Sequence, residues 1–365
     1  MALNTGITII QGTSEGVELT NDLAIVVFGT TSTGTITPGE LTKIQTKQEA
    51  TDLVGDGGAG DTLPKAIDIL QRYNCGNIIV CAITGADAAA EEADLIDKLD
   101  LLNSAISLVG VQPRLILFPS FNSDNCITKA ISIASDTLAI AIANFTAGTS
   151  VADALTERGG ATALGQDDQR LAITHGYLNS NDVLEGLDVH LAGAMANHTY
   201  GSSPLGYPLK EVNGVDVSMN FSLSDENSDP EQLNDVGVVS VNVSPENNLV
   251  LWGSRNSSYT EDESNILTFI NGIRARDEIS RLAKERALKM LGMPSRFSTA
   301  ALLTASYRTM LGDEVGAGNI ASYTIARINL AKTDYENKII WHDLEFQIWL
   351  PLERIGANVY LGVAA

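Results

Sequence analysis

The chain has 365 residues, of which 44% are hydrophobic and 19% charged, as in an ordinary globular protein with a sizeable core. Its 23 Lys and Arg residues against 45 Asp and Glu residues give a formal net charge of −22. Such an acidic surface repels phosphates, which argues against nucleic acid and anionic membranes as partners. The three cysteines, Cys75, Cys81 and Cys126, lack CxxC spacing, and we expect reduced thiols in a protein made in a cytosol.

The first twenty residues form a segment of their own, with no Lys or Arg and with a short strand candidate. That strand consists of Ile7, Thr8, Ile9 and Ile10. One short strand cannot bury itself, so we expect it to pair with a sheet edge elsewhere; a frayed terminus is the alternative. The N-terminus lacks a basic stretch followed by a long apolar run, so no secretory signal is expected. No run of about 18 apolar residues occurs, so no transmembrane helix is expected.

From Leu23 to Asn197, predicted strands alternate with predicted helices. The strands cover 23–29, 77–83, 115–118, 139–143 and 171–174. The helices cover 47–54, 61–73, 88–102, 125–138 and 189–197. Thr46 and Glu49 have the spacing of a capping box at the start of the first helix. Continuous apolar strands between helices predict an α/β domain with a mainly parallel sheet.

After Pro204 the pattern changes to a mixture of strands and longer helices. Apolar and polar residues alternate from Val215 to Leu223, which predicts a half-buried strand. Further strands are predicted over 236–243, 249–251, 320–330 and 338–350, and helices over 275–291 and 299–311. One face of the 338–350 strand carries Leu344, Phe346, Ile348 and Leu350.

A second lone strand candidate lies at the C-terminus, within 357–365. It contains Asn358, Val359, Tyr360 and Leu361. A chain with an unpaired strand at each end is suited to strand exchange between subunits, in which the arm of one subunit extends a sheet of the next.

No motif predicts catalysis or a cofactor. Residues 55–60 match GxGxxG, but the loop follows a predicted helix rather than a strand, so a helix-to-helix turn is favoured over a nucleotide site. Neither GxSxG nor a P-loop occurs. No metal-ligand spacing relates the four histidines, which are His175, His190, His198 and His342.

Residues 274–296 are basic within an acidic chain. Seven Lys and Arg residues against three Asp and Glu residues give a net charge of +4. Two pairs at i,i+4 spacing explain part of this charge, Asp277–Arg281 and Glu285–Lys289. The excess predicts a docking face for an acidic partner. The candidate docking residues are Arg274, Arg276, Arg281 and Lys284.

The order of motifs from Tyr207 to Asp277 resembles the tail sheath proteins of contractile-tailed bacteriophages, tailocins and contractile injection machines. An Asn-Gly turn and an acidic loop precede a valine-rich strand, Leu-Trp-Gly-Ser-Arg (251–255) and Phe-Ile-Asn-x-x-Arg (269–274). The Leu-Ala-Gly-Ala-Met-Ala helix (191–196) before Ser203-Pro204 is similar to a segment of the shorter sheaths of Mu-like and P2-like phages, as are Gly16-Val17 and Trp341–Phe346.

The resemblance implies a fold of class α/β plus α+β. It comprises a subtilisin-like α/β sheath domain without a protease triad, a mixed α+β C-terminal domain and extended strand arms. The implied division is a linking arm (1–20), an α/β subdomain (21–110), the sheath domain (111–206), a tube-facing C-terminal domain (207–356) and a second arm (357–365). The sheet that receives a neighbour's arm would be the one containing the 338–350 strand.

The resemblance also implies a structural subunit rather than an enzyme. Six copies would form a ring around a tail tube, rings would stack helically, and contraction without ATP would drive the tube through a target envelope. The implied partners are further copies, the tube protein, the baseplate and the tail terminator, in a virion assembled in the bacterial cytoplasm. A non-contractile self-assembling protein and a nucleotide-binding α/β enzyme are the alternatives.

Overall fold

The computed structural model describes residues 23–351 apart from 59, 182, 224 and 260–264. The strands are β1 (Ile25–Gly29), β2 (Thr42–Ile44), β3 (Ile78–Ala82), β4 (Leu115–Leu117), β5 (Ile140–Asn144), β6 (Leu171–Thr174), β7 (Tyr177–Ser180), β8 (Val183–Gly186), β9 (Gly214–Val215), β10 (Val238–Val243), β11 (Leu249–Trp252), β12 (Ser322–Ile328) and β13 (His342–Gln347). The α-helices are α1 (Lys47–Val54), α2 (Leu63–Arg72), α3 (Ala88–Leu99), α4 (Ala105–Val109), α5 (Asp124–Thr137), α6 (Val151–Arg158), α7 (Leu187–Asn197), α8 (Asp229–Asp235), α9 (Ile270–Leu288) and α10 (Phe297–Gly316).

Side-chain caps define where several helices begin. The Thr46 hydroxyl accepts a hydrogen bond from the Glu49 N–H at 3.1 Å, and the Glu49 carboxylate accepts one from the Gln45 N–H at 2.9 Å. The predicted capping box is therefore present, with its returning bond displaced by one residue. Ser123 and Ser150 cap α5 and α6 in the same way, because a short side-chain oxygen satisfies an N–H group that lacks an intrahelical partner.

An eight-stranded sheet in the order β11-β10-β6-β5-β4-β1-β3-β2 forms the centre of the molecule. Its six central strands run parallel, while the outermost β2 and β11 are antiparallel to their neighbours. In the register, Val27 lies opposite Val80 on one side and Leu117 on the other. The predicted α/β class with a mainly parallel sheet is confirmed, while the subtilisin-like topology stays a prediction.

The sheet buries a core on each face. Successive side chains of a strand point to opposite faces, so Val27 of β1 belongs to one cluster and Val26 to the other. Helices α1, α2 and α7 cover the first face, and α3, α5 and α6 cover the second. Both layers are fully enclosed, which explains why these strands are continuous apolar runs.

Close packing of α2 and α7 depends on a glycine. A Cβ atom on Gly193 would lie 2.6 Å from the aromatic ring of Tyr73, closer than side-chain carbons approach. The small residue in the Leu-Ala-Gly-Ala-Met-Ala segment therefore admits the Tyr73 ring.

The prediction of a strand over 215–223 is wrong beyond its first residue. Only Gly214–Val215 pairs, with β7, and the following residues are irregular. The apolar members Met219 and Phe221 still pack on the core, which accounts for their alternation with polar residues. The Asn220 N–H donates to the Asp229 carboxylate at 2.6 Å rather than to a neighbouring strand. The alternation of apolar and polar residues here reflects burial of one side of the segment, not pairing with another strand.

The predicted strands over 236–243 and 249–251 belong to the main sheet. Val238 of β10 lies opposite Ile173 of β6, and β11 follows as the antiparallel edge. One sheet thus contains strands from both sides of the boundaries predicted at 110/111 and 206/207. The five-segment division stays a prediction, since the arms lie outside the described residues.

The last part of the described chain forms a smaller unit. The α9 helix starts ahead of its predicted position, at Ile270, and its first half is buried against the sheet. Its second half packs with α10 and the antiparallel pair β12–β13 around a third cluster that includes Leu311 and Met310. We call residues 23–278 the body and residues 279–351 the C-terminal unit. No described helix is long and apolar enough to cross a bilayer.

Candidate interaction surfaces

Open α/β sheets bind ligands at the carboxyl ends of their parallel strands, and at the ends of β5 and β6 the polar side chains bond to one another and to the backbone. The Thr174 hydroxyl donates to the Asn144 amide oxygen at 3.0 Å, and the Asn144 amide donates to the Gly176 carbonyl at 3.1 Å. Nε2 of His175 bonds the Thr149 carbonyl at 2.9 Å. Burial lowers the pKa of His175 and favours the neutral ring. These hydrogen bonds connect β5 and β6 with the segments that follow them.

The glycine-rich loop at 55–60 connects α1 to α2, as predicted. One carboxylate oxygen of Asp61 accepts hydrogen bonds from the Gly58 N–H at 2.6 Å, the Ser32 N–H at 3.0 Å and the Ser32 hydroxyl at 2.9 Å. Burial opposes the charge, but these bonds hold the pKa of Asp61 below its usual value. Within the loop, the Gly58 N–H is therefore engaged by the chain's own anion, and the Gly57 N–H donates to the Thr33 hydroxyl at 3.3 Å.

The histidines are separate from one another and serve structural contacts. His190 bonds the Tyr73 hydroxyl at 3.0 Å and the Glu185 carboxylate at 3.0 Å, and His342 bonds the Thr304 hydroxyl at 3.0 Å. Among the described residues, no group of His, Cys, Asp and Glu has the geometry of a metal site.

A buried polar network that the sequence does not reveal joins α2 to α7. Arg72 binds Asp68 at 3.0 Å and Glu185 through its guanidinium, and Glu185 in turn bonds His190. Burial opposes the Glu185 charge, but bonds from His190 and Arg72 hold its pKa below the ordinary value. Arg72 and Glu185 are 113 residues apart in sequence, so no local pattern predicts the pair.

Arg274, one of the predicted docking residues, is buried in this conformation, and its docking role stays a prediction. Only 7% of Arg274 is exposed, and its Nη2 donates to the carbonyls of Met195 at 2.9 Å and His198 at 3.1 Å. It lies in the first half of α9, which faces the sheet. The basic pattern of 274–296 thus combines a buried residue with surface residues.

The Asp277 carboxylate binds Arg170 rather than Arg281. Both terminal nitrogens of Arg170, Nη1 and Nη2, donate hydrogen bonds to this carboxylate, with Nη2–Oδ1 at 3.0 Å. Nε of Arg276 lies 3.4 Å from Oδ1. The predicted Asp277–Arg281 pair is therefore wrong. Arg281 instead binds Glu278, one turn earlier on the same helix face.

The second half of α9 carries the exposed basic residues. The predicted Glu285–Lys289 pair is present at 3.1 Å, and Lys284 is exposed. Arg276 and Arg281 are partly exposed, with 36% and 42% of their side chains accessible. A docking role stays a prediction for Arg276, Arg281 and Lys284.

Apolar side chains are exposed where α9 turns into α10. Leu291 is 75% exposed and Phe297 is 63% exposed. The Ser295 hydroxyl donates to the Tyr335 carbonyl at 3.0 Å, so this turn touches the connection between β12 and β13, which also exposes apolar residues. We call this surface the apolar end. Its members are Leu288, Leu291, Met293, Phe297, Leu330, Ile339 and Trp341. Exposed apolar patches are a common feature of contact sites.

The β12–β13 pair has one face on the third core. Leu344, Phe346 and Ile348 pack against that core, whereas Leu350 is 54% exposed. Among the described residues this sheet contains two strands, so each strand has an edge without a described partner. The proposed arm strands, Ile7, Thr8, Ile9 and Ile10 and Asn358, Val359, Tyr360 and Leu361, lie outside the described residues.

Comparison with known proteins gives a consistent result. No protein-family model matches the chain. The sequence is 26% identical over 267 residues to the tail sheath protein of Burkholderia phage BcepMu, in an alignment covering 70% of this chain and 50% of the phage protein. The chain thus spans about half the length of this curated relative.

The fold is similar to that of chains from contractile particles. A chain in the anti-feeding prophage baseplate matches with a TM-score of 0.69 at 16% identity, over 100% of both chains. The contracted helical sheath of the anti-feeding prophage matches at 0.68 and 17%, over 97% of this chain and 99% of the other. The contracted PVC sheath of an extracellular contractile injection system matches at 0.69 and 14%, over 100% and 99%. The resemblance to contractile sheath proteins is confirmed, and the chain has their fold.

Proposed function

We propose that the chain is a structural subunit of a contractile tail sheath. The observation that carries this proposal is the match of the whole fold, not of one domain, to sheath chains of contracted assemblies. The mutually bonded groups at the sheet's carboxyl edge agree with a structural role rather than an enzymatic one.

In the proposed assembly, six copies form a ring around a tail tube and rings stack helically. The β12–β13 pair suits this arrangement, because an arm from a neighbouring copy could extend either edge by main-chain hydrogen bonds. The apolar end offers a second contact, since burying its side chains against another copy releases hydration water. Both features belong to the C-terminal unit.

The tube is the proposed partner of the basic face formed by Arg276, Arg281 and Lys284. Partly exposed cations with nearby carboxylates give weak, salt-screened attraction, which suits a surface that must release the tube. The baseplate and the tail terminator are the proposed partners at the two ends.

Contraction is proposed to proceed without ATP and to drive the tube through a target cell envelope. The free energy would come from contacts between copies that form only after the subunits rotate outward, while the arms hold neighbours together. The particle would be a virion tail or a related injection device assembled in the bacterial cytoplasm.

Negative-stain electron microscopy of the purified chain at high concentration tests the proposal. Hollow, striated tubes wider than a bare tail tube are the expected result. A chain that stays monomeric at every concentration, alone and when co-expressed with its tube protein, would contradict it.

Deletion of the arms tests the assembly route. Chains lacking residues 1–20 or 357–365 should fold with unchanged circular dichroism and fail to form tubes. Tube formation at the level of the intact chain would show that the arms do not link the copies.

A further inference from the structure

The connection that follows α7 joins the body to the C-terminal unit at a place apart from the continuous helix α9. The Tyr200 hydroxyl donates a hydrogen bond to the Glu314 carboxylate, in the last turn of α10. The Asn319 side-chain amide donates to the same carboxylate oxygen at 2.7 Å. One oxygen of Glu314 thus accepts a hydrogen bond from each of the two regions.

Asn271 of α9 makes a second polar contact between the two regions. It is only 1% exposed, and its side-chain nitrogen donates to the Gly201 carbonyl at 3.2 Å and to the Trp349 carbonyl at 3.1 Å. Gly201 belongs to the body, whereas Trp349 follows β13 in the C-terminal unit. One buried side chain therefore holds two backbone segments next to each other, where exclusion of water strengthens the hydrogen bonds.

Gly201 allows a close approach of the two backbones. A Cβ atom at this position would lie 2.1 Å from the Asn319 carbonyl oxygen and 2.8 Å from the carbonyl carbon. A larger residue therefore fits only if the backbone of one region moves. We call this contact the clamp. Its members are Tyr200, Gly201, Asn271, Glu314, Asn319 and Trp349.

The position of Glu314 is unfavourable for the helix alone. The last turn of α10 contains Asp313 and Glu314 and no basic residue, although the helix dipole favours cations at this end. The two donors of the clamp stabilise the Glu314 carboxylate instead. Burial and the hydrogen bond to Glu314 raise the pKa of Tyr200, which keeps its hydroxyl protonated as a donor.

We propose that the clamp fixes the orientation of the C-terminal unit on the body and thereby prepares the unit for contact with neighbouring copies. The clamp holds the unit at the end of α10 and at the residue after β13, in addition to the connection through α9. The unit therefore cannot turn about the α9 axis without breaking hydrogen bonds. The orientation is a property of one chain, whereas the role in assembly rests on the proposed sheath function.

A fixed orientation matters for assembly because each copy must present its contact surfaces in the same way. A unit that samples other orientations binds its neighbours with an affinity reduced by the fraction of time spent in the competent one. If a loosened clamp lowers that fraction to about one tenth, the concentration needed for assembly rises about 10-fold.

Pulsed electron paramagnetic resonance on the full chain tests the clamp. Spin labels are attached at Ser135→Cys of α5 and Thr309→Cys of α10, which are exposed positions outside the clamp. Cys75→Ser removes the partly exposed native thiol, while Cys81 and Cys126 are buried. The distribution of distances between the two labels is measured at a concentration where light scattering shows monomers.

Two independent variants weaken the clamp. Tyr200→Phe with Asn271→Leu removes the hydrogen bonds of both side chains at similar side-chain volume. Gly201→Ala forces the two backbones apart. Gly76→Ala is the matched control, because a Cβ atom there meets open space. Circular dichroism checks that each variant is folded.

We expect one narrow distance distribution in the wild type and in Gly76→Ala, and a broader one in both clamp variants. The clamp variants should also need an about 10-fold higher concentration to assemble. Distributions as narrow as that of the wild type in both clamp variants would overturn the clamp. Broadening with an unchanged assembly concentration would overturn its role in assembly. Broadening in a chain whose wild type never assembles would support the clamp and contradict the sheath proposal.

Discussion

The body and the C-terminal unit differ in how they use polar and apolar groups. In the body, a doubly covered sheet buries two large clusters, and buried ion pairs such as Arg72–Glu185 and Arg170–Asp277 join distant parts of the chain. The C-terminal unit has a small core and a two-stranded sheet, and it exposes apolar residues such as Leu291 and Phe297. A region with two large enclosed cores can be rigid alone, whereas a region with a small core and exposed apolar groups is suited to contacts with neighbours.

The largest effect is expected where α9 is anchored in the body. Asp277→Ala leaves Arg170 as an uncompensated buried cation and should lower the free energy of unfolding by about 3–5 kcal/mol. Urea denaturation measures the change. The exposed carboxylate Glu285 on the same helix is the control, and Glu285→Ala should leave stability unchanged. Replacing the pair together, with Arg170→Met and Asp277→Leu, should recover most of the loss. Equal effects of Asp277→Ala and Glu285→Ala would show that the buried pair does not hold α9.

The second prediction tests whether the small core of the C-terminal unit unfolds independently of the body. Leu311 is fully buried in the third cluster, and Leu311→Ala should cost about 2–4 kcal/mol. Hydrogen exchange should speed up in α10, β12 and β13 while β1, β4 and β5 stay protected. Leu302, on the same helix but 54% exposed, is the control, because Leu302→Ala removes much less buried surface than Leu311→Ala does. Equal loss of protection in both regions would mean that they unfold as one unit.

The sequence predicts elements whose signals are local. The cap at Thr46, the buried run at Ile78–Ala82 and the β12–β13 pair all follow from residues within one segment. The pairing of β10 with β6 does not, since their residues are some 65 positions apart and share no local signature. The order of strands in the sheet therefore could not be predicted from the sequence.

Among the site residues, burial was the property that the sequence could not supply. Arg274 and Lys284 belong to one basic stretch, yet the first faces the sheet and the second faces outward. Helical spacing assigns residues to faces, but only packing determines which face is covered. An Arg adjacent to apolar Ile273 and Ala275 is the one local hint that Arg274 lies inside.

A third effect concerns pH and belongs to the body. Burial at the start of α7 raises the pKa of Asp188 from an ordinary value of 3.8 to about 7, against hydrogen bonds from its own N–H and that of Val189. At pH values between these two pKa values, Asp188 binds a proton in the folded chain and not in the unfolded chain. The free energy of unfolding therefore falls as the pH rises from about 4 to about 7. Asp188→Asn mimics the protonated form, so its stability relative to the wild type should rise by about 3 kcal/mol from pH 4.5 to pH 8. A difference that is the same at both pH values in urea denaturation would mean that Asp188 is charged in the fold.

The smallest effect on stability is expected at the apolar end. Substitutions there also give the sharpest test of the difference between the body and the C-terminal unit. Leu291→Gln with Phe297→Ser should change the free energy of unfolding by less than about 0.5 kcal/mol, because both side chains are exposed. If the C-terminal unit is completed by a neighbouring copy, the same variant should raise the concentration needed for assembly by roughly 10-fold for each 1.4 kcal/mol of lost contact. Sedimentation of assembled material against concentration measures this.

The matched control for that variant lies on the body. Ile106 and Leu108 of α4 are 64% and 55% exposed, so Ile106→Gln with Leu108→Ser removes a similar amount of accessible apolar surface. Assembly should depend on the apolar end and not on α4, because α4 belongs to a region whose large cores are already enclosed. Equal loss of assembly from both variants would mean that general surface hydrophobicity drives association. Loss from the apolar end alone would assign the contacts between copies to the C-terminal unit.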